Sequence, residues 1–250
     1  MIMEQEDYSK IYEYESMGKV YAGEKACISL TSWKARINTV AKTLYSLIKM
    51  CHGFHIVLVL SKDEFPLMEK ELPDNLMLFV ENQLIELFWI RPNLKSFKKI
   101  LFTMDKYRDV PVISADDDCY YIINYAEELY NEWIKDKDYC ITFYTPKDNN
   151  IPITGGALTL YPPYIFNKNC IDILNKSELY LYTNQDDDFY AALRLKFNLT
   201  KIKNIKRVKS FKEIYIFHDE LNPCNEELKS LTKNERLNIL KQIIKIVDNL

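Results

Sequence analysis

Short apolar runs alternate with amphipathic stretches up to about residue 135, and no other feature constrains the fold as much. Lys25-Ala-Cys-Ile-Ser-Leu-Thr31 reads as a short buried strand. Ser32 then stands where it would cap a helix whose apolar face is Ile37, Val40, Ala41, Leu44, Leu47, Ile48 and Cys51. Residues 55–60 form a continuous apolar run, as in a strand covered on both faces. Residues 76–80 and 88–90 read as further strands. Leu94, Phe97, Ile100, Leu101 and Met104 mark a second amphipathic helix, and 110–114 the next strand. A helix is expected over 124–134, where Asn124 and Glu127 have capping-box spacing. Strands near 139–144, 157–161 and 213–217 and a helix over 186–196 complete the body. The pattern predicts an α/β fold, a mixed, mainly parallel central sheet flanked by helices in a single domain.

The domain is expected to span 23–222, after a polar lead-in over 1–22 and before a C-terminal amphipathic helix within 223–250. That helix carries Leu237, Leu240, Ile243, Ile244 and Val247 on one side and Lys241 and Lys245 on the other. Packing on the domain is the plainer expectation; peripheral contact with a membrane face is the other. No apolar run reaches the length of a transmembrane helix, and residues 1–10 do not read as a signal peptide. The six cysteines are scattered without a C-x-x-C pair, which suits reduced thiols and a cytoplasmic location.

The net charge of −3, from 33 basic and 36 acidic residues, speaks against a nucleic-acid partner. Only five glycines are present, with no G-x-G-x-x-G and no Walker loop. A nucleotide would need another device to hold its phosphates.

Ser114-Ala-Asp-Asp-Asp-Cys-Tyr-Tyr121 offers one, because three carboxylates directly follow an apolar strand. Ligands of open α/β sheets sit beyond the carboxyl ends of strands. Clustered carboxylates repel one another unless a cation or raised pKa values relieve the repulsion, and such hard oxygen donors suit Mg²⁺ or Mn²⁺. Lys34 and Arg36 fall where the first helical turn is expected; they either help that turn hold an anion or point to water. Lys95, Lys98 and Lys99 share a helical face, which is either solvated or turned toward a diphosphate. A second acidic run, Asp186-Asp-Asp188, opens the helix over 186–196, where capping alone would favour acidic residues. Thr154-Gly-Gly-Ala-Leu-Thr-Leu-Tyr-Pro-Pro163 places two of the scarce glycines together, as a tight turn or close approach to a ligand requires. His218 ends the strand expected over 213–217, as a surface residue or a ligand.

Taken together, these segments resemble bacterial glycosyltransferases of the GT-A fold, over roughly residues 26–218. The resemblance rests on Ser-Leu-Thr-Ser-Trp with Arg36 just after, on Lys98-Lys99-Ile-Leu ahead of the acidic strand, and on the D-x-D-like triplet. The Tyr-Pro-Pro segment and the second acidic run then follow in the same order. The resemblance implies a nucleotide-sugar half over about 23–121 and an acceptor half over about 122–222. It implies a metal-dependent transfer, with Mn²⁺ or Mg²⁺, from a nucleotide-sugar donor of UDP type to a hydroxyl of a glycan or lipid-linked acceptor, in surface-glycan biosynthesis. Asp116, Asp118 and His218 would hold the metal. Thr31, Ser32, Arg36, Asp116, Asp117 and one of Lys95, Lys98 and Lys99 would lie along the nucleotide sugar, and Gly155 and Gly156 would line the sugar pocket. In an inverting enzyme the general base would be Asp187 or Asp188, with Asp186 behind them. Other metal-dependent phosphate chemistry of nucleotidyltransferase kind, or an inactive nucleotide- or carbohydrate-binding module, are the competing readings.

Overall fold

The computed structural model describes residues 25–143, 158–166, 169–182, 186–196, 201–204, 211–217 and 233–249. The lead-in, Gly155, Gly156 and His218 lie outside them. In chain order the elements are β1 (Cys27–Thr31), α1 (Val40–Met50), β2 (His55–Ser61), α2 (Asp74–Glu81), β3 (Glu86–Ile90), α3 (Lys98–Lys106), β4 (Val112–Ser114) and β5 (Cys119–Tyr121). There follow α4 (Tyr125–Trp133), β6 (Tyr139–Thr142), β7 (Thr159–Tyr161), α5 (Asn169–Ser177), α6 (Leu179–Tyr182), α7 (Asp186–Lys196), β8 (Lys201–Asn204), β9 (Tyr215–Phe217) and α8 (Lys233–Asp248). A seven-stranded sheet runs in the order β3-β2-β1-β4-β7-β6-β8. β3, β2, β1 and β4 are parallel neighbours, and β8 is parallel to β6. β7 runs antiparallel to both β4 and β6. β5 and β9 form a separate antiparallel pair. The mixed, mainly parallel α/β sheet flanked by helices is the one expected from the alternation.

The strand period of two sends successive side chains into two cores. Ile28, Leu30, Ile56, Leu58 and Leu60 join α1 and α4 on one face, through Val40, Leu44, Leu47 and Leu129. Cys27, Val57 and Val59 join α3, α5 and α7 on the other, through Ile100, Leu101, Leu174 and Leu193. The unbroken apolar run of β2 follows from this, since neither face meets water. Ile243 and Val247 of α8 are buried in the second core, while Lys241 and Lys245 are exposed. The tail helix therefore packs Ile243 and Val247 on the domain, while the side chains of Leu237 and Leu240 lie outside the described residues. Among the described residues no helix is long and apolar enough to cross a membrane. The five described cysteines are buried, and none of them forms a disulfide.

Two expectations are corrected. Residues 76–80 are helical, within α2, and not a strand. Pro73 enters the helix extended, and Leu76 and Phe79, three residues apart, are the side chains buried, so the helical period decides over an uninterrupted apolar run. The first helix begins at Val40, and Ser32 does not cap it. Its hydroxyl is drawn instead to Asp117, and 34–39 form turns in which Arg36 N–H donates to the Trp33 carbonyl. Lys34 and Arg36 therefore lie outside the first helical turn, and the helix-dipole argument no longer applies to them. Elsewhere the Asn124 cap forms as expected, its side chain accepting from Glu127 N–H. β5, β8, α5 and α6 were not anticipated.

At the amino ends of β2 and β3 lies a polar cluster. His55 Nε2 is 2.7 Å from Glu86 Oε2, and Lys106 and the Tyr107 hydroxyl also reach that carboxylate. Burial pushes the Glu86 carboxyl up, but these hydrogen bonds from His55, Lys106 and Tyr107 more than offset it and leave a pKa of about 2. A depressed carboxylate stabilises the fold above its unfolded pKa, and the contribution is lost as pH falls toward the folded value. Glu86→Gln is expected to be about 2–3 kcal/mol less stable than the parent at pH 6, with the gap narrowing by pH 3 in urea unfolding. A gap that stays constant with pH would show that the cluster is held without the charge.

Candidate functional site

The strand order reverses at β1, which has β2 on one side and β4 on the other. Beyond the carboxyl ends of β1 and β4 lies the crevice where open α/β sheets receive ligands. The chain leaves β1 through Ser32 and Arg36 and leaves β4 through the Asp116–Asp118 run, so the topology brings these together. Ser32 Oγ donates to Asp117 Oδ2 at 2.7 Å. Arg36 Nη1 donates to Asp117 Oδ1 at 2.7 Å and lies 3.2 Å from Asp118 Oδ2. Asp117 is thus turned inward and is 6% exposed, while Asp116 and Asp118 on either side of it are part-exposed. Successive residues of the run thus alternate between partial exposure and burial.

The repulsion expected of three adjacent carboxylates is present. Burial and the charge of Asp116 raise the Asp118 carboxyl to about 6, with Arg36 pulling the other way and Asp117 adding to the rise. Burial also pushes Asp117 up, against the pull of Arg36 and Ser32.

Underneath, the loop is braced by groups that the sequence did not advertise. The Tyr121 hydroxyl accepts from Asp116 N–H at 3.0 Å, and its ring stacks on Tyr125 at 4.8 Å between centroids. Tyr125 donates to the Ser114 carbonyl at 3.4 Å. From α1, Thr43 Oγ1 donates to the Asp117 carbonyl at 2.9 Å, and Ser46 Oγ accepts from Tyr121 N–H at 3.0 Å. A hydroxyl on the inward face of an amphipathic helix is the signal that would have pointed to Thr43 and Ser46. Nothing comparable marks the two tyrosines, which read as core aromatics.

The second acidic run comes to the same place. Lys99, in the first turn of α3, extends its ammonium to 3.0 Å from Asp116 Oδ1 and 3.1 Å from Asp186 Oδ2. Burial disfavours that charge, but Asp116, Asp186 and Asp187 more than compensate and hold its pKa well above the ordinary lysine value. α7 begins at Asp186, as expected, with Asp186 and Asp188 buried and Asp187 the most open of the three. Tyr190, one turn on, donates its hydroxyl to the Phe97 carbonyl at 2.9 Å, which ties α7 to the start of α3.

The three lysines do not share a face. Lys95 is exposed in a 3₁₀ turn (Lys95–Phe97) with φ of 49°, while Lys98 and Lys99 are buried on α3. Lys98 Nζ lies 3.4 Å from Glu64 Oε2 and 3.3 Å from Asn93 Oδ1, and burial lowers its pKa. Thr31 Oγ1 donates to the Val59 carbonyl at 2.7 Å, at the rim of the sheet. Gly155, Gly156 and His218 fall outside the described residues. Among the described residues no group of three or more His, Cys, Asp or Glu stands ready to hold a metal ion. Asp116 and Asp118 are both part-exposed carboxylates, Asp116 beside Lys99 and Asp118 beside Arg36.

No protein-family model matches the chain, and no curated protein matches it in sequence. Solved structures similar in fold include Staphylococcus aureus TarS 1–349 in complex with UDP, at 12% identity and a TM-score of 0.48, covering 76% of this chain and 59% of that one. The same TarS segment in complex with UDP-GlcNAc gives 13%, 0.47, 76% and 57%. TarS in a longer form gives 10%, 0.47, 88% and 39%. This chain thus spans less than two thirds of the TarS chains it matches.

Proposed function

We propose that the crevice beyond β1 and β4 transfers a sugar from a nucleotide-sugar donor, of UDP type, to a hydroxyl of a glycan or lipid-linked acceptor. The observation that carries this reading is the meeting of two acidic runs, some seventy positions apart in sequence, at the switch point of a parallel sheet. One run is suited to a donor's diphosphate and the other to an acceptor's proton. The chain has no glycine-rich phosphate loop, so phosphate recognition falls to Asp116 and Asp118 through a divalent ion. The residues fit such an ion: Asp118 is raised to about 6 largely by burial and the charge of Asp116, a repulsion that a cation between them would relieve. When bound, Mn²⁺ or Mg²⁺ would supply positive charge to the departing diphosphate. Arg36 and Lys99 hold the carboxylates that would bind it.

On the other side, the Asp187 carboxylate takes the proton of the acceptor hydroxyl as that oxygen attacks the anomeric carbon. The bond from that carbon to the phosphate oxygen breaks, and its electron pair leaves with the nucleoside diphosphate. Direct in-line attack inverts the configuration at the anomeric carbon.

UDP with Mn²⁺ is expected to raise the melting temperature by about 5–10 °C at saturating concentration, and UDP alone to leave it unchanged. Asp118→Ala should abolish the shift. A screen of UDP sugars should then release UDP from at least one. If no nucleoside diphosphate shifts melting at any metal concentration, the reading falls. A shift with no released nucleotide from any donor would mark a binding module instead, and release of pyrophosphate from a nucleoside triphosphate supplied in place of the UDP sugar would mark a nucleotidyltransferase.

A further inference from the structure

Lys99 is a buried cation between two carboxylates that belong to different parts of the chain. Asp116 follows β4, and Asp186 opens α7. A buried ion pair of this kind adds little stability over well-packed apolar side chains, because desolvation offsets the Coulomb attraction. What it does supply is a fixed relation between the two anions, each held about 3 Å from one ammonium. The backbone around Lys99 is itself held. Its carbonyl accepts from Ser29 Oγ of β1, and Ser29 in turn lies 2.7 Å from Thr103 Oγ1 of α3. The cation therefore projects from a helix braced against the sheet and not from a loop.

We propose that Lys99 is a positioning residue: its ammonium, anchored on α3, docks the first turn of α7 against the acidic loop after β4 and so sets Asp187 opposite Asp116 and Asp118. This rests on the reading above, in which the loop holds the donor and Asp187 serves the acceptor. It also changes the part expected of this lysine, from facing the diphosphate to joining the two halves of the site. Asp186 becomes its anchor point on α7, which leaves Asp187 to face the crevice.

The test uses the full chain with Lys99→Met, Asp186→Asn and the double variant. Asp186→Asn sits on the α7 side and should leave UDP–Mn²⁺ binding within about threefold of the parent while lowering kcat for transfer about 30- to 100-fold, the effect of a misplacement near 1 Å. Lys99→Met should lower kcat at least as far. The double variant should be no worse than Lys99→Met alone, because the two changes break one link. A role confined to stability would reduce the folded fraction and leave kcat per folded molecule unchanged. Either an Asp186→Asn kcat within about threefold of the parent or singles whose effects multiply in the double variant overturns the proposal. Should Lys99→Met fail to fold, Asp186→Asn decides alone. Should the parent release nucleotide from no donor, the function falls separately, and amide exchange over 186–190 judges the link. Faster exchange in both singles, with no further gain in the double variant, upholds the docking role; unchanged exchange removes it.

Discussion

Arg36→Met is expected to destabilise the fold by about 3–5 kcal/mol at neutral pH, a large share of the 5–15 kcal/mol typical of a domain. Arg36 is the cation that faces Asp117, at 2.7 Å, and it also lies 3.2 Å from Asp118. Both members of the inner pair are nearly closed to water, with side chains 12% and 9% exposed. Removing the guanidinium leaves Asp117 with the Ser32 hydroxyl, the more distant charge of Lys98 and the charges of its acidic neighbours. Methionine fills much of the volume, so the loss comes from the stranded carboxylate and not from a cavity. The pH dependence identifies the cause. In the variant the Asp117 and Asp118 carboxyls both rise further, since Arg36 is the main charge lowering each of them. A carboxyl whose folded pKa lies above its unfolded value favours folding below the unfolded pKa, and that advantage is lost as pH rises through the folded one. The deficit should therefore be largest at pH 7–8 and shrink as pH falls below about 6. Adding Asp117→Asn should recover part of it. Urea unfolding of the parent and the two variants at pH 7.5 and pH 5 checks this. A deficit equal at both values would assign the loss to packing.

What could be read from sequence follows from how far each signal reaches along the chain. The apolar run of β2 reported burial on both faces because each of its residues meets a core on its own account. The acidic triplet was legible for a similar reason: a buried strand ending in carboxylates places them at a sheet edge whatever the rest of the chain does. Residues 76–80 show the limit. Five apolar residues in a row carry no period, and only the placement of α2, with Leu76 and Phe79 inward, distinguishes helix from strand. Ser32 shows another, since a serine before a helical pattern is a cap unless a buried carboxylate competes for its hydroxyl, as Asp117 does. Lys99 lay beyond such reasoning altogether. Its two partners stand 17 and 87 positions away, and the same lysine among three in five residues reads equally as a solvated face. The alternation within the triplet, with Asp117 inward, likewise depends on Arg36 arriving from β1.

Asp187→Asn is expected to lower sugar transfer by about 10³-fold while leaving UDP–Mn²⁺ binding intact. Three carboxylates open α7, and their surroundings separate their roles. Asp186 is committed to Lys99, and Asp188 is fully buried, so neither stands open to an acceptor. Asp187 is the most exposed member and belongs to the turn that Lys99 docks. Asparagine keeps its size and still suits a helix N-terminus, so the fold should hardly change. It cannot accept the proton of an acceptor hydroxyl, which removes general-base assistance and nothing else. Donor hydrolysis, in which water replaces the acceptor, should fall in parallel because water also needs a base. Asp188→Asn should behave differently, lowering stability more than kcat, as expected of a buried side chain away from the reacting atoms. Initial rates of transfer and hydrolysis, set beside the UDP–Mn²⁺ melting shift for the same preparations, separate these outcomes. Transfer retained within about tenfold in Asp187→Asn would move the base out of α7. The meeting of the two acidic runs would then require another explanation.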